Sequence, residues 1–295
     1  MSSPSVFPRP TFVPEFVDFT PFRTRTVGIT GQRGVLGGIL LDKLLEADID
    51  VAAYPGDIND EHELSSWSSA HKFGYFFHFA AVVPVTMVEH DPITAYRTNA
   101  IGSFNVCTNV ALAHERCWSF LGSSSHVYKP TSQKVGIGEN AALAPQSFYG
   151  VTKLAGERIC EPLLKKMQAE YCIGRIFSFT HRTQPEPYLV PTLQRRVAAL
   201  KSGDILTVRN PSAVRDIQDA STVIECVLHL ASRRASGVIN IGTGHGMTVK
   251  EIAGTIAKSQ GKAIKIEGKD DDAQGCLVAD ISKLRQVLLE ERGAA

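Results

Sequence analysis

Between residues 24 and 180, short apolar runs alternate with stretches of helical period. Residues 25–29 form an apolar run that ends in a glycine-rich turn. The segment after it places Val35, Leu36, Ile39, Leu40 and Leu44 on one helical stripe. Residues 50–54 read as a second strand. Residues 74–81, GYFFHFAA, read as a third that is apolar on both faces, as a central parallel strand is. The pattern predicts a helix over 92–113, a strand over 117–123, a helix over 147–169 and a strand over 172–179. Pro162 falls inside the last helix and predicts a kink or an early end. Strands alternating with helices imply an α/β fold with a doubly wound parallel sheet. Past residue 180 the rhythm loosens, with helices near 190–202, 220–233 and 248–259. The last of these opens on a capping-box sequence, Thr248 to Glu251. Three parts follow: an extended arm over 1–24, a sheet domain over 25–180, and a smaller lobe over 181–295 with segments returning to the core. The arm alternates Pro4, Pro8, Pro10, Pro14 and Pro21 with Phe7, Phe12, Phe16, Phe19 and Phe22. The prolines exclude a regular helix. The phenylalanines imply that the arm lies on the folded body or on a second subunit.

Composition narrows the function classes. With 43% hydrophobic and 21% charged residues, the 295-residue chain can bury a core. It carries 31 Lys plus Arg against 30 Asp plus Glu, which gives no electrostatic case for nucleic acid or an anionic membrane. No apolar stretch is long enough for a membrane span, and the first residues lack the layout of a secretory signal. Cys107, Cys117, Cys160, Cys172, Cys226 and Cys276 are scattered, with neither C-x-x-C pairs nor zinc spacing. No metal site is expected, and a reducing, cytoplasmic compartment is.

Three groups of residues carry candidate chemistry. Gly28-Ile-Thr-Gly31-Gln32-Arg33-Gly34-Val35-Leu-Gly37 lies between a predicted strand and a predicted helix. Glycines there let the backbone approach a pyrophosphate, and the helix N-terminus supplies amides. Tyr149 and Lys153 stand four residues apart on a predicted helix and so share a face. An ammonium beside a phenol favours the phenolate and makes the phenol a proton donor or acceptor. Ser123, Ser124 and Ser125 close a predicted central strand, where ligands sit in such sheets.

In this order and spacing, the glycine turn, Phe79-Ala80-Ala81, Asn99, Ser123 to Tyr128 and Tyr149-x-x-x-Lys153 resemble the extended short-chain dehydrogenases/reductases. Arg215-Asp216-Ile217 and residues 238–242 resemble later elements of that family. The resemblance implies a Rossmann domain and a substrate-binding lobe. It makes Tyr149 the acid/base, with Lys153 holding the nicotinamide ribose and lowering the Tyr149 pKa. Ser124 would hydrogen-bond the reacting oxygen, and Asn99 would brace the site through backbone or water. Gly28, Gly31, Gln32, Arg33, Gly34, Val35, Gly37, Phe79, Ala80, Ala81, Asp57 and Ile58 would contact the cofactor. The family acts mostly on nucleotide-diphosphate sugars, so Arg196 and Arg215 would face the diphosphate. Ser125, His126 and Tyr188 would line the sugar pocket. The family's dimers pair the helices that here span 92–113 and 147–169. Ile101, Phe104, Val106 and Val110 exceed what one sheet-facing stripe needs, and a homodimer is expected.

Sugar-nucleotide 4,6-dehydratases carry an acidic residue where this chain has Ser125 and His126, which disfavours dehydration. Arg33 resembles an arginine of GDP-fucose synthases that contacts the extra phosphate of NADP. Asp57, 20 residues after Gly37, fits either the NAD ribose or the adenine edge. The balance favours NADP over NAD. The reading adopted is NADPH-dependent reduction of a nucleotide-diphosphate keto-sugar, at C4 of a 4-keto-6-deoxy sugar. An NAD-dependent nucleotide-sugar 4-epimerase is the alternative, and a non-catalytic cofactor sensor is a remote one. His126 is read as a pocket residue, or as a base titrating near pH 6.5.

Overall fold

The computed structural model describes residues 7–132, 135–271 and 275–290. A six-stranded parallel sheet forms the centre, in the order β2-β1-β3-β4-β5-β9. Its members are β1 (Thr26–Thr30), β2 (Val51–Ala53), β3 (Phe73–His78), β4 (Trp118–Ser124), β5 (Glu170–Ile176) and β9 (Gly237–Ile241). All six β3 residues are buried, as are six of seven in both β4 and β5, because helices cover both faces. Helix α1 (Val35–Glu46) buries Leu36, Leu40 and Leu44 on one face of the sheet, beside α8 (Ala220–Ser232). The other face takes α2 (Glu61–Ser69), α5 (Ser103–Ala113) and α6 (Phe148–Lys166). Strand order reverses between β1 and β3, and that switch point opens a crevice at the strands' C-terminal ends.

The helix predicted over 92–113 is three pieces: α4 (Pro92–Tyr96), a π-helical turn (Arg97–Gly102) and α5. Short α3 (Val85–His90) precedes them. Val106 and Val110 are buried toward the sheet and Phe104 is half-buried. Of the four residues expected to meet a partner helix, Ile101 alone stays exposed. Pro162 does not end α6, which runs on to Lys166. Pro162 and Arg158 are both exposed, so water can replace the hydrogen bond that proline cannot donate. Burial of Cys160 and Leu164 on the opposite side holds the last turns in place.

The C-terminal lobe has its own core around α7 (Leu189–Ala198) and α9 (Val249–Ser259). The capping box of α9 forms as the sequence predicts, with Thr248 Oγ1 accepting from Glu251 N at 3.0 Å. Strand β8 (Val214–Asp219) pairs with β6 (Ser178–Thr180), β10 (Gly246–Thr248) and β12 (Cys276–Leu277). A separate pair joins β7 (Ile205–Thr207) to β11 (Lys265–Glu267), and α10 (Ser282–Leu289) returns to β9. The Asp216 carboxylate accepts from Thr243 N (2.9 Å), Gly244 N (2.9 Å) and Ala279 N (3.1 Å), which bolts β8 to the chain after β9.

Residues 7–24 lie along the body; 1–6 fall outside the described residues. Phe7 is buried in the lobe core, whereas Val13 and Phe22 are buried in the sheet core. Arg9 pairs with Glu225 of α8, and the Pro14 carbonyl sits 3.2 Å from His229 Nε2.

Helix α6 is fixed to β5 by a buried ion pair. Arg175 Nη2 lies 2.7 Å from Glu157 Oε2, and the two side chains are only 5% and 4% exposed. Breaking such a pair leaves an uncompensated charge, at a cost of about 3–5 kcal/mol. Glu157→Gln is therefore expected to lower stability by about that amount in urea unfolding. A midpoint unchanged from the parent chain would show that the pair adds nothing.

Candidate active site

The switch-point crevice widens into a cavity of about 890 Å³. One end is built by the turn between β1 and α1. Gly31 has φ +82°, and a Cβ there would meet the Ala80 backbone nitrogen at 2.4 Å. A Cβ at Gly37 would lie 2.2 Å from the Gly31 carbonyl oxygen. Glycine is therefore required at both positions for the turn to close against β3. Helix α1 begins with no side-chain cap and no acid in its first turn. Helices α2, α6, α8 and α9, by contrast, are capped by Asp60, Ser147, Asp219 and Thr248. The free amides of α1 at the cavity wall suit an anion such as a phosphate.

Gln32, Arg33, Gly34, Val35, Asp57, Ile58, Phe79, Ala80 and Ala81 line this end with the turn glycines. Arg33 Nη2 donates to the Pro55 carbonyl at 3.2 Å, and Gln32 Nε2 to the Tyr54 carbonyl at 2.7 Å. One oxygen of the Asp57 carboxylate, Oδ1, accepts from Asn59 N and Nδ2, each at 2.9 Å. Gly28 is not on the wall. It lies inside β1, where a Cβ would strike the Phe76 ring at 2.4 Å, so its role is strand packing. The glycine period that builds the turn starts at Gly31, one step later.

At the other end, Ser124, Ser125, His126, Tyr149, Lys153, Tyr188 and Arg215 line the cavity. Ser147 caps α6 by accepting from Gly150 N at 3.2 Å, which starts the helix where Tyr149 reaches the strand ends. Burial pushes the Tyr149 phenol up to about 12, against a hydrogen bond from Ser124 that favours the phenolate. Lys153 is not among the groups that move it, contrary to the expectation that the ammonium lowers the phenol. The Lys153 ammonium is itself pushed down to about 8 by burial, with Glu157 one turn away pulling the other way. Arg215 Nη1 donates to the Val214 and Gly275 carbonyls (2.8 and 2.9 Å), which aims β8's cation at the cavity.

Two expected residues stand off the wall. Arg196 Nη2 donates to the Thr207 carbonyl instead of facing the cavity. Asn99 is buried behind the wall on the π-helical turn, where it grips Val82: Oδ1 accepts from Val82 N (2.7 Å) and Nδ2 donates to Val82 O (3.1 Å). Sequence reasoning also missed wall residues, among them Thr30, Tyr54, Ser178 and Gln184. Thr30 was legible as the strand residue directly before the turn; the other three belong to loops or a short strand with no motif.

Among the described residues that line the cavity, Asp57 is the one carboxylate, and it sits at the glycine-turn end. The family model for GDP-mannose 4,6-dehydratase matches residues 40–289. The chain belongs to that family. It is an extended short-chain dehydrogenase/reductase of the epimerase/dehydratase type. A UDP-glucose 4-epimerase of Rhizobium meliloti (strain 1021) is 30% identical over 258 residues, covering 79% of this chain and 76% of that protein. Among solved structures, the UDP-glucose 4-epimerase of Thermus thermophilus in complex with NAD matches at a TM-score of 0.77 and 20% identity, over 88% of this chain and 92% of that one. RMD from Pseudomonas aeruginosa, complexed with NADPH, matches at 0.79 and 21%, over 90% and 92%. The two structures share the fold of this dehydrogenase/reductase. No helix among its described residues is long and apolar enough to cross a membrane.

His126 stands edge-on to Tyr149, ring centroids 5.6 Å apart, with Nδ1 3.3 Å from Ser147 Oγ. Burial and the nearby Arg215 push its pKa down to about 4, not near 6.5 as expected from an ordinary imidazole. The folded chain thus leaves His126 neutral between about pH 4 and 6.5, where the unfolded chain protonates it. The unfolded state binds more protons there, so stability falls as pH drops through that window. His126→Asn should lose less melting temperature than the parent between about pH 7 and 4.5. Equal losses in calorimetry would remove His126 from the acid response.

Proposed function

We propose that this chain is a nucleotide-diphosphate-sugar 4-epimerase that works through a transient 4-ketone. The observation that carries the reading is the grouping of Ser124, Tyr149 and Lys153 at one end of the cavity, where no carboxylate among the described residues lines the wall. Elimination of water needs an acid at that position, whereas alcohol–ketone interconversion needs a proton donor and acceptor at one oxygen. Relatives named UDP-glucose 4-epimerase support epimerisation over the reduction that the sequence ranks first.

The glycine turn fits a dinucleotide. The free α1 amides would take its pyrophosphate, Gly31 and Gly37 would give it close approach, and Lys153 would hold the nicotinamide ribose. Bound there, the cofactor supplies hydride acceptance and return. Tyr149 exchanges the proton of the sugar O4 hydroxyl, and Ser124 hydrogen-bonds the same oxygen. Held near 12 by burial, the phenol is the form that returns a proton to the ketone oxygen; taking the O4 proton in the first half-reaction requires the phenolate, which the Ser124 hydrogen bond favours. Lys153, near 8, is mostly charged at pH 7 and keeps positive charge beside the ribose. Arg215 and the pocket residues Ser125, His126 and Tyr188 orient the sugar nucleotide.

A second reading, NADPH-dependent reduction of a 4-keto sugar, is favoured by Arg33. It is the cation at the glycine-turn end of the cavity, while Asp57 is engaged by Asn59.

The experiment that separates the readings is incubation with a UDP-hexose and catalytic NAD. The epimerase forms the 4-epimer with no net NADH, whereas a reductase consumes NADPH mole for mole with a keto-sugar. Tyr149→Phe should lower either rate by about 10²–10⁴-fold while leaving cofactor binding within a few-fold. A variant rate close to the parent's would remove Tyr149 from the proton step. Arg33→Ala should weaken NADPH binding about 10- to 100-fold and spare NADH if the arginine meets the 2′-phosphate. Equal loss for both cofactors in titration calorimetry would reduce Arg33 to a support of the turn.

A further inference from the structure

We propose that His78 is a positioning residue: through a chain of buried hydrogen bonds it ties Thr30 at the glycine turn to the Asn99–Thr152–Tyr149 side of the cavity and keeps the two in register.

The chain is readable donor by donor. The Ser103 hydroxyl donates to the Asn99 carbonyl at 2.8 Å. Its single hydrogen is thereby used, so it accepts from His78 Nε2, 2.9 Å away. A neutral imidazole protonated at Nε2 has a lone pair at Nδ1, and Thr30 Oγ1 lies 2.6 Å from it as the donor. On the far side, Asn99 Nδ2 donates to Thr152 Oγ1 at 2.9 Å, and the Thr152 hydroxyl donates to the Tyr149 carbonyl at 2.8 Å. Asn99 cannot be turned over, because its Oδ1 accepts from Val82 N. The directions are thus assigned in two runs, from Thr30 to the Asn99 carbonyl and from Asn99 Nδ2 to the Tyr149 carbonyl, joined through Asn99 itself.

The residues are sealed from solvent: Thr30, His78, Ser103, Asn99 and Thr152 are each at most 2% exposed. They belong to β1, β3, α5, the π-helical turn and α6; the sheet ladder already sets Thr30 opposite His78 and α5 continues the π-helical turn, so what the side chains add is a polar tie from the paired strands to these helices. His78 closes a strand whose other members are Phe73, Gly74, Tyr75, Phe76 and Phe77, and packing alone would be met by another apolar side chain. Burying an imidazole is unfavourable unless both nitrogens are satisfied. Here both are, and each partner leads to a different wall of the cavity. Burial and the nearby Lys153 push His78 down to about 3, which keeps the ring neutral and the direction of the chain unchanged at physiological pH. Ser103 and Thr152 do not line the cavity, so changes there leave ligand contacts in place.

The inference rests on the proposed role of Tyr149, and its test has a readout that does not. In the full chain labelled with ¹⁵N-histidine, the signal lost in His78→Asn identifies His78 among the nine histidines. It should report a neutral ring protonated at Nε2 from about pH 5 to about pH 9. Ser103→Ala removes the acceptor, and the proton is expected to move to Nδ1, toward Thr30. Turnover of the UDP-hexose should fall about tenfold with KM within about twofold, because alignment is lost and ground-state contacts are not. Thr152→Val breaks the far end and should give the same loss in kcat with His78 still protonated at Nε2. A parent ring protonated at Nδ1, or doubly protonated, overturns the chain. Two cooperatively folded variants with kcat within about twofold of the parent overturn the positioning role. A parent chain that turns over no nucleotide sugar refutes the functional reading and with it that role, while the tautomer still reports whether the hydrogen-bond chain exists.

Discussion

The contact on which the site depends is the burial of charge between α6 and β5. Arg175 and Glu157 cannot separate inside an apolar interior without a large desolvation cost, so α6 cannot slide along the sheet. Ser123 adds a third arm, donating from the end of β4 to the same carboxylate. Tyr149 and Lys153 lie two turns and one turn before Glu157 on that helix. Their place over the strand ends follows from a lock behind them. Gly156 completes it, since a Cβ there would meet the Asn99 carbonyl oxygen at 2.8 Å and force α6 away from the π-helical turn.

The polar interior is unusual in how it is arranged. Tyr128 donates to Asn240 Oδ1 at 2.7 Å and accepts from Arg175 Nη1 at 3.0 Å, so the network links β5 to β9 and, through Glu157, to α6. Buried polar groups of this kind specify one arrangement, because any slip leaves donors without acceptors. The cavity inherits that rigidity on its sheet side. Its lobe side is built differently, from an apolar core around α7 and α9 that meets the sheet domain through β8 and the loops Asp216 holds.

Much of the architecture was legible in the chain. Apolar runs of 25–29 and 74–81 mark β1 and β3 to within a few residues, because both faces of those strands are covered. Tyr149, Lys153, Ser124 and the turn glycines were readable because their spacing is local. Four things were not. Gly28 and Gly31 look alike in sequence, and only the packing of Phe76 on one and Ala80 on the other separates them. The effect of Pro162 depends on which side of α6 faces water. The pKa values of Tyr149, Lys153 and His126 depend on depth, which periodicity does not report. His78 reads as one more member of an apolar strand, since its partners lie 48 and 25 residues away.

The N-terminal arm has a consequence for how the chain is made. Arg9 and Pro14 find their partners, Glu225 and His229, more than 200 residues later. Phe7 packs in a core whose other members run from Val190 to Ala257. The arm leaves the ribosome well before the surfaces that receive Phe7, Arg9 and Pro14. Phe7 therefore stays unburied until the lobe is made, a period in which exposed apolar segments are prone to aggregate or to meet a chaperone. When α8 and the lobe are complete, docking of the arm closes some of the longest-range contacts of the molecule, and such contacts form slowly. Docking of the arm thus waits on segments made more than 200 residues after it.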